Sequence, residues 1–160
     1  MFWKNNVPAI QHIFISPGHN FRGHHGTPPG QHPVVEVDTA ECVAGQGLVG
    51  DRYFGERADF KGQITFFDLA VHHRICDQFN QPGTPPSVYR RNVITAGLDL
   101  NALIGQEFEL QGIRFLGTEE CKPCYWMDHA LAPGAEVALK GHGGLRAKIL
   151  TTGTLRRHGN

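Results

Sequence analysis

Short apolar runs, each ended by glycine, proline or asparagine, constrain the fold of this 160-residue chain more than any other feature. The sequence contains 20 glycines and 10 prolines, which leave few windows in which a helix of ordinary length fits. Apolar or alternating runs of about four to eight residues between such breaks are typical of strands. We therefore expect a mixed, β-rich α+β fold. Its predicted strands are residues 9–16, 34–38, 63–67, 92–95, 108–110, 113–117 and 145–150.

Helical patterns are few. The clearest covers residues 68–79, where apolar and histidine side chains recur every three or four positions and a turn sequence follows. Shorter helices are predicted at residues 123–131, which begin with proline, and at residues 135–140. Between two of the predicted strands, Gln111 and Gly112 predict a hairpin turn.

Length and charge limit the class of protein. The chain is long enough for one core of ordinary size and short for two, so we expect a single domain over residues 1–160. Fifteen basic residues balance 15 acidic ones, which gives no reason to expect nucleic acid or a membrane surface as a partner. Residues 1–15 lack a signal-peptide pattern, and no apolar run is long enough to cross a bilayer. We expect a cytoplasmic protein.

A long loop rich in glycine, proline and histidine is predicted at residues 17–33. Its histidines are His19, His24, His25 and His32. Loops of this length inside a compact domain are uncommon and are often functional. The alternatives are a lid or anion-contact loop, a metal-binding loop, for which the histidine spacing matches no ligand template, and a merely exposed loop.

Cys121 and Cys124 form a Cys-Lys-Pro-Cys segment between a predicted strand and a predicted helix. Main-chain N–H groups and the helix dipole at such a junction stabilise a thiolate, which is a nucleophile and a soft-metal ligand. These two cysteines are therefore the candidate catalytic thiols. Cys42 and Cys76 lie in apolar surroundings, and we expect them to be small buried hydrophobic residues without a chemical role.

Three chemical roles fit the Cys-Lys-Pro-Cys segment, besides the alternative that both cysteines are structural. A structural zinc site needs two further ligands, and only His129 lies within helical reach. A thioredoxin-like dithiol lies inside a βαβ unit after the opening strands, whereas about three-quarters of this chain precedes the motif. The third role is a thiolate that ligates a bound metal cofactor or carries a persulfide.

Two glycine-rich segments favour the third role because each brings main chain and a charged side chain to an anion. Residues 45–52 form a glycine-rich bend that ends in Asp51 and Arg52. Residues 141–147 form another such turn, which carries Arg146. Neither segment has the glycine spacing of a P-loop or of a dinucleotide-binding fingerprint.

A third polar segment, Arg90, Arg91 and Asn92, precedes an apolar strand. Adjacent residues of a strand point to opposite faces. We therefore expect one arginine to bind a phosphate and the other to face solvent or pair with a carboxylate.

Taken together, five motifs in this order resemble the MOSC family, the domains found at the C-terminus of molybdenum cofactor sulfurases. The motifs are residues 47–52, 90–92, 100–105, 120–124 and 143–147, within a resemblance that runs from about residue 10 to residue 157. The resemblance implies a compact, β-barrel-like fold with a few short helices. It also implies that the chain binds the molybdenum cofactor (molybdopterin) or handles sulfur for it, and pyridoxal phosphate is not expected in this domain.

The resemblance also assigns roles to residues. Cys124 matches the family's key cysteine, which implies a molybdenum ligand or persulfide carrier, with Cys121 as its neighbour and candidate resolving thiol. The implied cofactor-binding residues are Arg90, Arg91, Asn92, Asp51, Arg52, Lys122 and Arg146. As an enzyme the protein would reduce N-hydroxylated compounds with an electron-donor protein, and as a carrier it would pass sulfur between proteins. The alternatives are a cofactor-free binding protein on the same fold and a dithiol redox protein.

Overall fold

Strands separated by short helices and turns make up the computed structural model, which describes residues 8–19, 27–28 and 30–157. Within these residues the strands are β1 (Ala9–Ile15), β2 (Val35–Glu36), β3 (Thr39–Val43), β4 (Gly47–Leu48), β5 (Ile64–Asp68), β6 (Val93–Ala96), β7 (Glu107–Leu110), β8 (Ile113–Glu120), β9 (Leu145–Ile149) and β10 (Gly153–Arg156). The helices are α1 (Leu69–Gln78), α2 (Trp126–Ala130) and α3 (Ala135–Leu139). The longest of these, α1, has 10 residues, and no helix in the described ranges is long and apolar enough to cross a bilayer.

The described strands form two sheets. The larger has seven strands in the order β2-β1-β6-β5-β9-β8-β7, and the smaller has three in the order β10-β3-β4. Strands β5 and β6 are parallel, and α1 lies in the connection between them. The prediction of a mixed, β-rich α+β fold is confirmed, although the described residues form two open sheets rather than a closed barrel.

Alternation along the strands divides the apolar residues between the two faces of the large sheet. In β5, Ile64 and Phe66 pack into a core shared with the small sheet, whereas Phe67 points to the other face. That other face carries the helices and holds a second cluster, the helix-side core. Its buried residues are Phe14, Phe67, Val71, Ile75, Tyr89, Ile94, Met127, Leu131, Ala135 and Leu139. The large sheet is therefore covered on both faces.

Local sequence signals explain the best-predicted elements. Helix α1 begins after Asp68, whose carboxylate accepts a hydrogen bond from the N–H of Ala70, as an N-cap should. The hairpin between β7 and β8 turns through Gln111 and Gly112, which have φ angles of 52° and 80°. Positive φ at both central residues is typical of a type I′ turn, so the hairpin prediction is confirmed.

Two boundaries beside the cysteines differ from the prediction. Strand β8 continues to Glu120, past the predicted end at residue 117, because a β-bulge keeps it paired with β9. Helix α2 begins at Trp126 rather than at Pro123. Pro123 instead lies close to Gly143, where an added Cβ would meet the proline ring at 2.8 Å. The cysteines therefore lie in an irregular connection between β8 and α2.

Candidate functional site

Cationic side chains from separate parts of the chain meet in one open cleft of about 390 Å³, called the basic cleft below. Its walls come from the segment after β4, the start of β5, the turn before β6, the end of β8 and the start of β9. The residues that line it are Arg52, Tyr53, Gly62, Thr65, Arg90, Arg91, Glu119, Glu120, Cys121, Lys122 and Arg146. All three segments that the sequence marked for anion binding thus reach the cleft, together with the first cysteine of the Cys-Lys-Pro-Cys segment.

Three cleft residues are cross-strand neighbours on the large sheet. Thr65 of β5 pairs with Arg146 of β9, and Arg146 pairs with Glu119 of β8. The register of β8 shifts immediately before Glu119, so that Glu119 rather than Thr118 lies opposite Arg146. By alternation Thr65 shares a face with Phe67 of the helix-side core. The basic cleft therefore lies on the helix-bearing face of the sheet.

Arg146 is held at the cleft by two kinds of contact. Its guanidinium lies 5.2 Å from the centre of the Phe60 ring, and its Nη1 donates to Oε2 of Glu119 at 3.3 Å. Glu119 also pairs with Lys61, whose Nζ is 3.5 Å from Oε1. Gly62 leaves room for the guanidinium, since a Cβ there would be 2.7 Å from Nε. Because Glu119 uses one donor nitrogen of Arg146, further N–H groups remain for a ligand.

Asp51 supports the cleft without lining it. Its buried carboxylate accepts hydrogen bonds from the main-chain N–H of Ser16 at 3.0 Å and from Nη1 of Arg52 at 3.1 Å. Arg52 also donates through Nη2 to the carbonyl oxygen of Arg90 and lies 4.7 Å from the centre of the Tyr53 ring. A buried carboxylate thus fixes an arginine that faces the cleft.

Arg90 and Arg91 both line the basic cleft, so the expectation that they point to opposite faces is wrong. Arg90 ends the 3₁₀ turn Pro86–Tyr89 in the left-handed region, with φ 57° and ψ 30°. Strand β6 starts only at Val93. Opposite orientation requires extended backbone, which this pair does not have.

The Arg90 guanidinium is largely buried at the cleft wall. Its Nη2 donates to Oγ of Ser16 and to the carbonyl oxygen of Gly18, each at 2.8 Å. Burial, with the nearby Arg52 charge, lowers the pKa of Arg90 to about 10. The group therefore stays cationic at neutral pH and keeps its attraction for an anion.

Arg91 directs its donors to main-chain carbonyl groups. Nε donates to Gly143 at 2.9 Å, Nη1 to Tyr89 at 2.9 Å and Nη2 to Cys121 at 3.1 Å. These carbonyls belong to the turn before β9, the 3₁₀ turn and the segment after β8. Arg91 therefore ties three segments together at the cleft.

Asn92, predicted to bind the cofactor, is buried and does not line the cleft. Its Oδ1 accepts hydrogen bonds from the N–H and the hydroxyl of Thr65 at 3.0 and 3.1 Å. Its Nδ2 donates to the carbonyl oxygen of Phe14 at 3.2 Å. With 2% of its surface exposed, the side chain satisfies main-chain groups of two neighbouring strands.

The two cysteines of the motif occupy different positions. Cys121 lines the basic cleft, and its N–H donates to the carbonyl oxygen of Gly144 at 2.8 Å. Cys124 is exposed and is not part of the cleft lining. Between them, Lys122 lines the cleft, is exposed and has no ion-pair partner among the described residues. The cleft thus reaches Cys121, whereas the exposed cysteine, Cys124, lies three residues beyond it in the chain.

Cys42 and Cys76 are buried, which confirms the expectation that they are core residues. Burial raises the pKa of Cys42 to about 12 and also raises the pKa of Cys76. Both thiols are therefore protonated at neutral pH. Among the residues that the structure describes, no group of three or more His, Cys, Asp or Glu side chains is arranged to hold a metal ion, so these residues supply no further ligands for a zinc site.

Sequence reasoning missed several cleft residues, which are Tyr53, Gly62, Thr65, Glu119 and Glu120. The paired glutamates directly before Cys121 were a visible signal. The other three are brought in by strand pairing and by a loop contact, which spacing does not reveal.

The structure describes about half of the His-rich loop, since residues 20–26 and 29 are not among the described ones; His24 and His25 are therefore not described. Its described N-terminal end lies at the basic cleft. The His19 ring meets the Tyr53 ring edge-on at 5.0 Å, and Gly18 accepts from Arg90. A role as lid or anion-contact loop stays a prediction.

The MOSC domain model matches residues 45–157, more than half of the chain. The chain belongs to the MOSC family. The match contains all the residues that line the basic cleft, together with Asp51, Asn92 and Cys124. No curated protein sequence matches the chain.

Solved structures show the same fold in bacterial proteins. The YUAD protein from Bacillus subtilis is 19% identical, with a TM-score of 0.72 over 96% of this chain and 93% of its own. YiiM from Geobacillus stearothermophilus is 12% identical, with a TM-score of 0.68 over 95% of this chain and 72% of its own. YiiM from Escherichia coli is 14% identical, with a TM-score of 0.64 over 94% and 66%. At these identities the likeness is one of fold.

Proposed function

We propose that this MOSC protein binds the molybdenum cofactor with the cofactor's phosphate end in the basic cleft and with Cys124 as molybdenum ligand or persulfide carrier. The observation that carries the proposal is the convergence of Arg52, Arg90 and Arg146 on one cleft that ends at the Cys-Lys-Pro-Cys segment. Cationic forks in the cleft and a cysteine segment beside it suit a ligand that carries both a phosphate and a soft metal.

The donor set of the cleft fits a phosphate. Arg52 and Arg146 are each oriented by a carboxylate, which fixes the guanidinium planes. Arg90 stays cationic in a largely buried position, where an ion pair is screened less by solvent than at the surface. Lys122 adds a mobile charge at the rim. These residues would bind and orient the cofactor's anionic end.

The thiols divide the remaining work. Exposed Cys124 is accessible to a metal centre or to another protein that donates or accepts sulfur. Cys121 lines the cleft beside Lys122, where it would lie next to a bound ligand. When bound, the cofactor supplies redox chemistry at molybdenum, which suits reduction of N-hydroxylated compounds with electrons from a donor protein.

The test is to purify the protein from a host that makes the cofactor and to measure molybdenum by mass spectrometry and oxidised pterin by fluorescence. Wild type should contain both, and Arg146→Gln should lower the content at least about tenfold. Arg114→Gln is the matched control, because Arg114 is exposed and pairs with Glu107 outside the cleft. Cys124→Ala should lose molybdenum, or lose the sulfane sulfur released by cyanide if the protein is a carrier.

Two outcomes separate the proposal from its alternatives. A wild type without molybdenum, pterin or sulfane sulfur, whose properties Cys124→Ala leaves unchanged, would indicate a cofactor-free binding protein. A dithiol redox protein would instead lose activity as fully in Cys121→Ser as in Cys124→Ser.

A further inference from the structure

Arg91 differs from the other cleft arginines in what its guanidinium contacts. Arg52 and Arg146 each pair with a carboxylate and keep donors for a ligand, whereas Arg91 donates Nε, Nη1 and Nη2 to three carbonyl oxygens. Main chain therefore takes three of the five N–H groups of Arg91, one on each nitrogen, so that fewer remain for a phosphate than in Arg52 or Arg146. The contacts of Arg91 therefore favour a role other than the predicted binding of the cofactor.

The segment between β8 and α2 is anchored on both sides of Cys124. At its start, the N–H of Cys121 donates to Gly144 and its carbonyl oxygen accepts from Arg91. At its end, the carbonyl oxygen of Cys124 accepts from the N–H of Met127 in α2 at 2.9 Å. In the described part of the chain, Arg91 is the one side chain that hydrogen-bonds to the main chain of residues 121–124.

Gly143 completes this anchor. A Cβ at Gly143 would lie 2.2 Å from the carbonyl oxygen of Cys121, so the two segments touch backbone to backbone. The N–H of Gly143 donates to Oε2 of Glu120 at 3.1 Å, and its carbonyl oxygen accepts from Arg91. The rigid guanidinium of Arg91 thus hydrogen-bonds to both residues of this contact, Cys121 and Gly143.

We propose that Arg91 is a positioning residue for Cys124, which fixes the main chain of residues 121–124 against the turn at Gly143, and that it is not a phosphate ligand. The use of the positioned thiol for a cofactor or persulfide rests on the proposed function. The three hydrogen bonds of Arg91 to Tyr89, Cys121 and Gly143, called the clamp below, involve residues of this chain alone and can be tested without any cofactor.

Substitution of Arg91 by lysine distinguishes a phosphate-binding role from a positioning role. At a phosphate contact a lysine retains charge and part of the affinity, because an ammonium binds phosphate as a point charge. A lysine cannot reach three carbonyl oxygens on separate segments in the fixed geometry of a guanidinium. We therefore expect Arg91→Lys to fail as Arg91→Gln does.

Two measurements on the full chain test the proposal. The first is the rate of iodoacetamide alkylation at Cys124 against pH, followed by peptide mass spectrometry. Both Arg91 variants should change that rate at least about tenfold and alter its pH profile. The second is the affinity for inorganic phosphate, which both variants should keep within about threefold of wild type. Arg146→Gln should do the opposite, with weaker phosphate binding and a wild-type alkylation profile.

Two results would overturn the proposal. One is a wild-type alkylation profile in Arg91→Lys together with a changed one in Arg91→Gln, which would mean that charge alone matters. The other is a loss of phosphate affinity in Arg91→Gln as large as that in Arg146→Gln.

If the Arg91 variants do not fold by circular dichroism, hydrogen exchange of wild type decides. The clamp requires that the amide of Cys121 be protected as well as strand β8, and rapid exchange there would contradict it. Failure of wild type to bind phosphate at all would count against the proposed function and leave the alkylation test valid.

Discussion

Two regions of this protein contain a cysteine beside polar side chains, and they differ in what those side chains face. In the basic cleft, cations and carboxylates line open space next to the Cys-Lys-Pro-Cys segment. The second region contains Cys76 and His72 of α1, which lie near Tyr89. All three side chains are buried. The Nδ1 atom of His72 is 2.9 Å from the Tyr89 hydroxyl, so the polar groups satisfy one another.

The buried region shows that residue types alone do not define a reactive thiol. The Sγ atom of Cys76 is 3.7 and 3.6 Å from the two ring nitrogens of His72, so neither nitrogen is a preferred partner. Burial raises the pKa of Cys76. A buried Cys–His pair one helical turn apart is thus no sign of an activated thiol, and the exposed Cys124 is the better candidate for chemistry.

The largest expected difference between the regions is in thiol reactivity. In native protein, iodoacetamide should alkylate Cys124 at least about a hundredfold faster than Cys76, because Cys76 is only 6% exposed and burial raises the pKa of its thiol. Peptide mass spectrometry gives the rate at each cysteine. Cys42, which is fully buried, is the internal control and should react as slowly as Cys76. Comparable rates at Cys76 and Cys124 would remove the contrast.

Gly143→Ala should damage the cleft region without touching the helix-side core. The new Cβ would lie 2.2 Å from the carbonyl oxygen of Cys121, so one of the two segments must move. We expect a loss of about 2–3 kcal/mol in the free energy of unfolding, measured by urea denaturation. Gly83→Ala is the control, because no atom lies within 4 Å of its Cβ and it should stay within about 0.5 kcal/mol of wild type. A Gly143→Ala protein as stable as the control would contradict the close contact.

Asn92→Ala tests whether Asn92 belongs with the buried region despite its position next to two cleft arginines. Its loss would leave the N–H of Thr65 and the carbonyl oxygen of Phe14 without their side-chain partner. We expect a destabilisation of about 2 kcal/mol in thermal or urea unfolding, since buried unsatisfied groups are costly.

The control for that variant is Asn101→Ala, which removes an exposed hydrogen bond to Gly141 and should cost about 0.5 kcal/mol. A direct cofactor contact would show the reverse pattern, with weaker ligand binding and unchanged stability.

The sequence predicted elements whose signals are local. Asp68 caps α1, and Gln111 with Gly112 turns the β7–β8 hairpin, because each effect involves residues a few positions apart. The segments that carry Arg52, Arg90 and Arg146 could likewise be recognised one by one. Only the resemblance to the MOSC family predicted that these segments share a cleft. The match over residues 45–157 shows that the chain belongs to that family.

What the sequence did not reveal depends on pairing across the chain. Asn92 finds its partner in Thr65, 27 positions away, so its structural role has no local signature. The β-bulge before Glu119 interrupts the alternation of β8, which is why the strand was predicted to end too early. Strands β3, β4 and β10 were missed as well, since short strands of the small sheet form only by pairing with one another.

The smallest effect that we expect is a pH dependence of stability carried by the buried region alone. Burial lowers the pKa of His72, with further lowering by the nearby charges of His73 and His12. The unfolded chain, in which a histidine has a pKa of about 6.5, therefore binds the proton more readily than the folded protein. As the pH falls below about 6.5, protonation of His72 therefore favours unfolding and lowers stability. At higher pH the imidazole is neutral in both states, and it makes no pH-dependent contribution to the free energy of unfolding. Urea denaturation at about pH 7.5 and about pH 5.5 should show a smaller loss of stability in His72→Gln than in wild type, while His142→Gln, at an exposed position outside α1, should behave like wild type. If His72→Gln loses as much stability on acidification as wild type does, titration of His72 does not contribute to the pH dependence of stability, and the prediction is wrong.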